Sequence, residues 1–252
     1  MKLFVKISYR GTNYAGYQIQ KNAPTVQKAM NDAARALFGY ECDITGCSRT
    51  DSGVHANEFC AVISAKGSDH LDTSIDPQNI PRAMGAHLPD DISVREAKWV
   101  SGDFHPRYDV KYKEYVYRIW NRPERNPFIP DMCYHYPKII SDSDLERMNE
   151  AAGHFCGEHD FIAYMAKGGK DIDTIRCVEY ANVTRNGDYV EFRVAANGFL
   201  YNMVRIMMGT LLAVAEGKIS PEKIEEITLS KDRKRAGITV PACGLFLNKV
   251  IY

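Results

Sequence analysis

Lys111-Tyr112-Lys113-Glu114-Tyr115-Val116-Tyr117-Arg118-Ile119-Trp120 alternates without a break. Lys113, Tyr115, Tyr117 and Ile119 share one face, and a period of two in an aromatic-rich run predicts a strand. Pro123, Pro127 and Pro130 end the pattern. Upstream, residues 2–9 alternate in the same way, with Leu3, Val5, Ile7 and Tyr9 pointing together. Cys42–Gly46, Phe59–Ser64, Ile92–Val100, Val190–Val194 and Leu245–Tyr252 read as further strands. Helical spacing instead links Val26, Met30, Ala33 and Leu37, opened by Pro24-Thr25 and closed by Gly39. It also links Leu145, Met148, Ala152 and Phe155 behind the capping-box pattern Ser143-Asp144-Leu145-Glu146. Phe199, Met203, Ile206, Thr210 and Val214 give a third helix ending at Gly217, and a short fourth begins near Pro221. Pro77, Pro81 and Pro89 mark a connection. Strands that come in runs rather than alternating with helices favour antiparallel sheets with helices on one side over βαβ winding. The fold class expected is α+β, in two halves cut as residues 1–105 and 106–252.

The chain has 252 residues, 45% of them hydrophobic and 25% charged, which places it among ordinary globular proteins rather than disordered ones. The longest uncharged apolar stretch near the C-terminus, Ile206–Ala215, is too short for a membrane span, which needs about 20 residues. Met1–Ile7 alternates and reads as a strand, not as a signal peptide. Seven scattered cysteines form no Cys-x-x-Cys pair, so a zinc ribbon or redox dithiol is not expected, and thiols in a reducing cytoplasm are. Lys plus Arg number 32 and Asp plus Glu number 32, a balance that on its face speaks against a nucleic-acid partner. That average hides local excess. Residues 104–125 hold Arg107, Lys111, Lys113, Arg118, Arg122 and Arg125 among Tyr108, Tyr112, Tyr115, Tyr117 and Trp120. Such a run suits phosphates and unpaired bases, and equally suits a strand with its aromatics in the core. Lys231-Asp232-Arg233-Lys234-Arg235 is a second basic run, commonly just a solvated loop.

Two further stretches carry chemistry. Asp51 sits in Arg49-Thr50-Asp51-Ser52-Gly53-Val54-His55, where a carboxylate beside a cation stays ionised and could serve as nucleophile or base. The same residue could simply close an Asx turn. His55 could join Asp51 at a metal, but two ligands are too few, and a packed histidine is the plainer reading. Arg205 lies within the most apolar helical stretch, and a buried guanidinium calls for an acidic partner, Asp51 being one candidate.

Taken with their order along the chain, these residues resemble the TruA family of tRNA pseudouridine synthases. Arg49-Thr50-Asp51-Ser52-Gly53-Val54-His55-Ala56 is similar to the family's R-T-D-x-G-V-H-A stretch. Tyr9-x-Gly11-Thr12-Asn13-Tyr14-x-Gly16, Leu88-Pro89-x-Asp91-Ile92 and Asp103-Phe104-His105-x-Arg107 support it. So do Tyr115-x-Tyr117, His159-Asp160-Phe161, Asn197-x-Phe199 with Met203-Val204-Arg205, and Gly244-Leu245-x-Leu247. The resemblance implies two similar α/β halves joined into one continuous sheet around a central RNA-binding cleft. It implies isomerisation of uridine to pseudouridine in the anticodon arm of tRNA, at positions 38–40, by a cytoplasmic homodimer without cofactor or metal. Asp51 would be the essential carboxylate, Tyr115 would lie against the uracil, Arg205 would pair with Asp51, and Arg49 would contact the flipped nucleotide's phosphate. Arg10, Tyr17, Ser48, Ser52 and Asp109-Val110 depart from the family's usual Asp, Trp, Gly, Ala and Ser-Ala, which leaves room for a paralogue with another target uridine. A non-catalytic RNA-binding module, or a metal hydrolase using Asp51 with His55, are the rival readings.

Overall fold

The computed structural model describes residues 1–169 and 173–252. In chain order the principal elements are β1 (Lys2–Tyr9), α1 (Val26–Phe38), β2 (Cys42–Gly46), β3 (His55–Ala65), α2 (Ile80–Gly85), β4 (Ile92–Val100), β5 (Tyr112–Trp120), β6 (Tyr134–His135), α3 (Asp142–Gly153), β7 (Gly157–Asp160), β8 (Ile175–Asn186), β9 (Tyr189–Ala196), α4 (Met203–Ala215), α5 (Lys223–Ser230) and β10 (Leu245–Ile251). The class is α+β. The chain divides into two units, Met1–Lys111 with Phe246–Tyr252, and Tyr112–Leu245.

In the first unit β1 lies antiparallel between β3 and β4. The other edge of β3 is shared: β2 pairs antiparallel with its second half, and β10 runs parallel beside its start, with Phe246 opposite His55 and Leu247 opposite Ala56. Leu3, Val5 and Ile7 face Ile63, Ala61 and Phe59 across the ladder, and all six side chains are fully buried. Helix α1 packs on β2 through Val26, Met30, Ala33 and Ala34. The Thr25 hydroxyl accepts from Lys28 N, and Gly39 takes the left-handed conformation (φ 82°) that ends the helix. The proline-marked connection contains one more helix, α2, packed on β4; Pro81 is tolerated there because a first-turn proline gives up no intrahelical bond.

The second unit is the sheet β5-β9-β8-β7, antiparallel throughout, with β6 added parallel to β5. Tyr117, Phe192 and Val183 form one buried row across it, and Ile119 with Val190 begins the next. Phe155, just beyond α3, packs against Phe192 on that face. The alternate residues Arg118, Glu191 and Arg193 form a half-exposed ion-paired row on the opposite face. Helix α3 packs on β8 and on α4.

Several expectations are corrected. The cut falls after Lys111 rather than 105, and the last strand returns to the first unit. Its partner is β3, and Tyr252 packs against Phe4 and Phe104 of that unit. The capping box of α3 is Ser141 with Asp144, because the Ser141 hydroxyl, two residues before the quoted Ser143, receives Asp144 N while the Asp144 carboxylate receives Ser141 N. Helix α4 starts at Met203, since Asn202 adopts a left-handed φ of 61° that no helix continues through, so Phe199 belongs to a loop. Strand β3 starts at His55. Strand β8 escaped the periodic reading because its register shifts between Val178 and Tyr180, which breaks the alternation.

Candidate active site

Asp51 lies half-buried in the loop between β2 and β3. That loop has no regular structure of its own, so something else must fix its main chain. The segment Gly11–Tyr17 does so. Tyr17 N donates to Thr50 O (3.2 Å), and Gly53 N and the Ser52 hydroxyl both donate to Tyr14 O (3.3 and 3.2 Å). The Tyr9 and Thr50 hydroxyls share a 2.8 Å hydrogen bond. Two glycines allow the backbones this close. A Cβ on Gly11 would stand 2.0 Å from Val54 O, and one on Gly16 would stand 2.5 Å from Thr50 O.

His55 belongs to this support. It is 1% exposed, its ring stacks on Phe246 at 4.7 Å, and Nδ1 accepts the Gly11 N–H at 3.0 Å. The lone pair therefore sits on Nδ1, and the neutral ring carries its proton on Nε2. Among the described residues no group of three or more His, Cys, Asp or Glu gathers as metal ligands would. Arg49 is exposed, two residues before Asp51, and engages no hydrogen-bond or ion-pair partner among the described residues.

The second unit holds Tyr115 and Arg205. Tyr115 is 7% exposed on β5 and meets the Phe199 ring edge-on at 5.0 Å and 81°. The loop that carries Phe199 is tied to β8 by a reciprocal pair, Asn197 N to Cys177 O and Cys177 N to Asn197 Oδ1. Arg205, half-buried in the first turn of α4, donates from Nε to Val240 O (2.8 Å) and from Nη1 to Asn202 Oδ1 (2.5 Å). Part of its guanidinium is thus met by neutral oxygens. The 238–240 segment that supplies Val240 is pressed onto α4, where a Cβ on Gly209 would stand 1.9 Å from Ile238 O.

Parts of both basic runs are tied into the fold. On β5 the Tyr117 side chain is fully buried, and Arg118 pairs with Glu191. Tyr108, 74% exposed and stacked on His105, remains open. In the later run Lys231 pairs with Asp160 and Arg235 with Glu226, while Arg233 donates to Gly237 O and Thr239 Oγ1. No helix among the described residues is long and apolar enough to cross a membrane.

The sequence profile described as tRNA pseudouridine synthase matches residues 6–109 and 151–252, which includes both the Asp51 loop and the Arg205 helix. The chain belongs to the tRNA pseudouridine synthase family. A "tRNA pseudouridine synthase A" of Thermoanaerobacter sp. (strain X514) is 43% identical over 99% of each chain. One from Ruminiclostridium cellulolyticum is 40% identical over 100% of this chain and 99% of the relative. A "tRNA pseudouridine synthase A 2" from Clostridium perfringens is 40% identical over 98% of this chain and 97% of its own.

Within this family member, the residues that sequence reading missed are those that hold the loop rather than those that decorate it. Asp91 and Tyr14 stood in quoted motifs without a role, and the pairing of Phe199 with Tyr115 had no signal beyond the Asn197-x-Phe199 spacing.

Proposed function

We propose that this chain isomerises uridine to pseudouridine within tRNA. The reaction breaks N1–C1′, turns the uracil over, joins C5 to C1′, and moves the C5 proton to solvent while N1 takes one up. No electrons are gained or lost, so the balance requires no redox cofactor. The glycosidic bond is out of reach in a stacked helix, so the nucleotide is flipped out, at a cost of a few kcal/mol. Asp51 supplies the essential carboxylate, as nucleophile or as base towards the sugar. Tyr115 lies against the uracil while the base turns, and its edge-on contact with Phe199 fixes the plane that the base meets. Arg205 pairs with Asp51 and keeps it ionised. Arg49 contacts the flipped nucleotide's phosphate; its exposure and its lack of a partner among the described residues support that role. The two halves form a central RNA-binding cleft, and the enzyme works in the cytoplasm as a homodimer without metal. The target uridines are those at positions 38–40 of the anticodon arm.

The observation that carries this reading is the full-length match to relatives named tRNA pseudouridine synthase A, coupled with a loop built to hold Asp51 still. Pseudouridine mapping of all RNA from cells with and without the protein tests it. Loss of pseudouridine at tRNA positions 38–40 is expected, and Asp51→Ala should reproduce that loss while leaving tRNA affinity within a few-fold. An unchanged map, or an Asp51→Ala enzyme that still forms pseudouridine, refutes it.

A further inference from the structure

The Gly11–Tyr17 segment moulds the Asp51 loop, yet it too lacks regular structure apart from one short 3-10 turn at Gly11–Asn13. Its outer end is held by one residue far away in sequence. The Asp91 carboxylate, immediately before β4, receives the Tyr14 hydroxyl at 2.5 Å through Oδ1 and the Asn13 side-chain amide at 3.0 Å through Oδ2. The Asp91 carbonyl receives Arg10 N at 2.9 Å. Asp91 thus holds Asn13 and Tyr14 of the segment and Arg10 just before it. Tyr14 then passes the constraint on, because its own carbonyl is the acceptor for both Ser52 and Gly53. Burial and the neighbouring carboxylate raise the Tyr14 phenol well above its ordinary range, so it stays a donor at every physiological pH.

We propose that Asp91 is a positioning residue for Asp51, acting through Tyr14 and the Gly11–Tyr17 segment. The proposal rests on the reading of Asp51 as the essential carboxylate. Asp91 acts as a clamp with no contact to the reacting nucleotide of its own. Releasing it leaves the fold of β1, β3 and β4 intact, because their ladders do not pass through this carboxylate. It frees Tyr14, and with it the main chain on the C-terminal side of Asp51. A reacting group displaced by about 1 Å loses on the order of a hundredfold in rate, whereas binding of the remainder of the RNA is indifferent to it.

The test is steady-state kinetics on a tRNA transcript for wild type, Asp91→Ala, Asp91→Asn and Tyr14→Phe, together with thermal unfolding of each. Asp91→Ala should lower kcat by about 10- to 100-fold with KM unchanged within twofold. Asp91→Asn keeps one oxygen for the Tyr14 hydroxyl and should recover most of the lost kcat. Tyr14→Phe cuts the same link from the other side and should match Asp91→Ala, which preserves the test if that variant folds poorly. A raised KM with unchanged kcat would make Asp91 an RNA contact and overturn the proposal, as would wild-type kinetics in both Asp91→Ala and Tyr14→Phe. Asp51→Asn, measured alongside, separates the two claims. If it remains active, the catalytic reading fails; if it is inactive while the Asp91 and Tyr14 variants behave as wild type, only the clamp fails.

Discussion

Tyr17 buries its hydroxyl without a hydrogen-bond partner. The residue is 3% exposed, its ring stacks on Phe59 at 4.1 Å, and Gly46 lies against the ring so closely that a Cβ there would stand 2.6 Å away. Replacing it by Phe keeps every ring contact and removes only the orphaned oxygen. An unsatisfied buried polar group costs about 1–3 kcal/mol. The void left behind is no larger than one water, about 30 Å³, and at about 24 cal/mol per Å³ offsets at most ~0.7 kcal/mol. Tyr17→Phe should therefore stabilise the protein by about 1 kcal/mol near neutral pH, or about 2–4 °C in Tm for a chain of this size. The pH dependence is sharper still. Burial raises the Tyr17 phenol far above its ordinary value, while in the unfolded chain it ionises near 10. Below about pH 9 both states keep the proton and the gap between variant and wild type is constant. Above about pH 10 the unfolded wild type releases a proton that the folded form retains, so this group costs the wild type ~1.4 kcal/mol per pH unit. The variant lacks that loss, and the gap should widen. Urea unfolding followed by the fluorescence of Trp99 and Trp120 at pH 7, 9, 10 and 11 measures it. A destabilised variant, or a gap that stays flat to pH 11, refutes the reasoning.

Two further predictions concern the second unit. Ser141→Ala should cost about 1 kcal/mol by removing the cap of α3, whereas Ser143→Ala should stay within about 0.5 kcal/mol, both read from chemical unfolding. The hydrogen bonds from Ser141 hold the Asp144 carboxyl below its ordinary value, so this contribution is present near neutrality and fades as pH falls through that lowered value. Gly209→Ala drives a methyl into Ile238 O and should cost about 3 kcal/mol or more. Activity should fall with it, since the displaced segment holds Arg205 through Val240. Gly85→Ala, which meets open space at the end of α2, is the control and should be neutral or stabilising by up to about 1 kcal/mol.

What the sequence disclosed, and what it concealed, divides along one physical line. Strands β1 and β5 and helix α1 announce themselves because a local period is enforced by one buried face, and Thr25 and Gly39 mark the helix ends with side-chain and backbone chemistry of their own. Strand β8 was hidden because its bulge interrupts the period. The start of α4 was misplaced because the left-handed turn at Asn202 is a main-chain event with no hydrophobic signature. The residue types at Asp51 were visible together with the motif they resemble. What holds Asp51 in place was not, because Tyr14 meets Asp91 across 77 positions and Gly11 meets Val54 backbone to backbone. Contacts between main chains leave little trace in composition beyond the glycines that permit them.

The pairing of β10 with the start of β3 also sets a timetable for biosynthesis. His55 and Phe246 are stacked in the folded unit, yet roughly 190 residues separate them along the chain, and at about 5–20 residues per second some 10–40 s pass between their syntheses. Throughout that interval the nascent chain carries Arg49–His55 without the aromatic floor beneath His55 and without the strand that covers that edge of β3. An incomplete chain on the ribosome, surrounded by RNA, therefore presents the loop unsupported, and its final form arises only once β10 has been made.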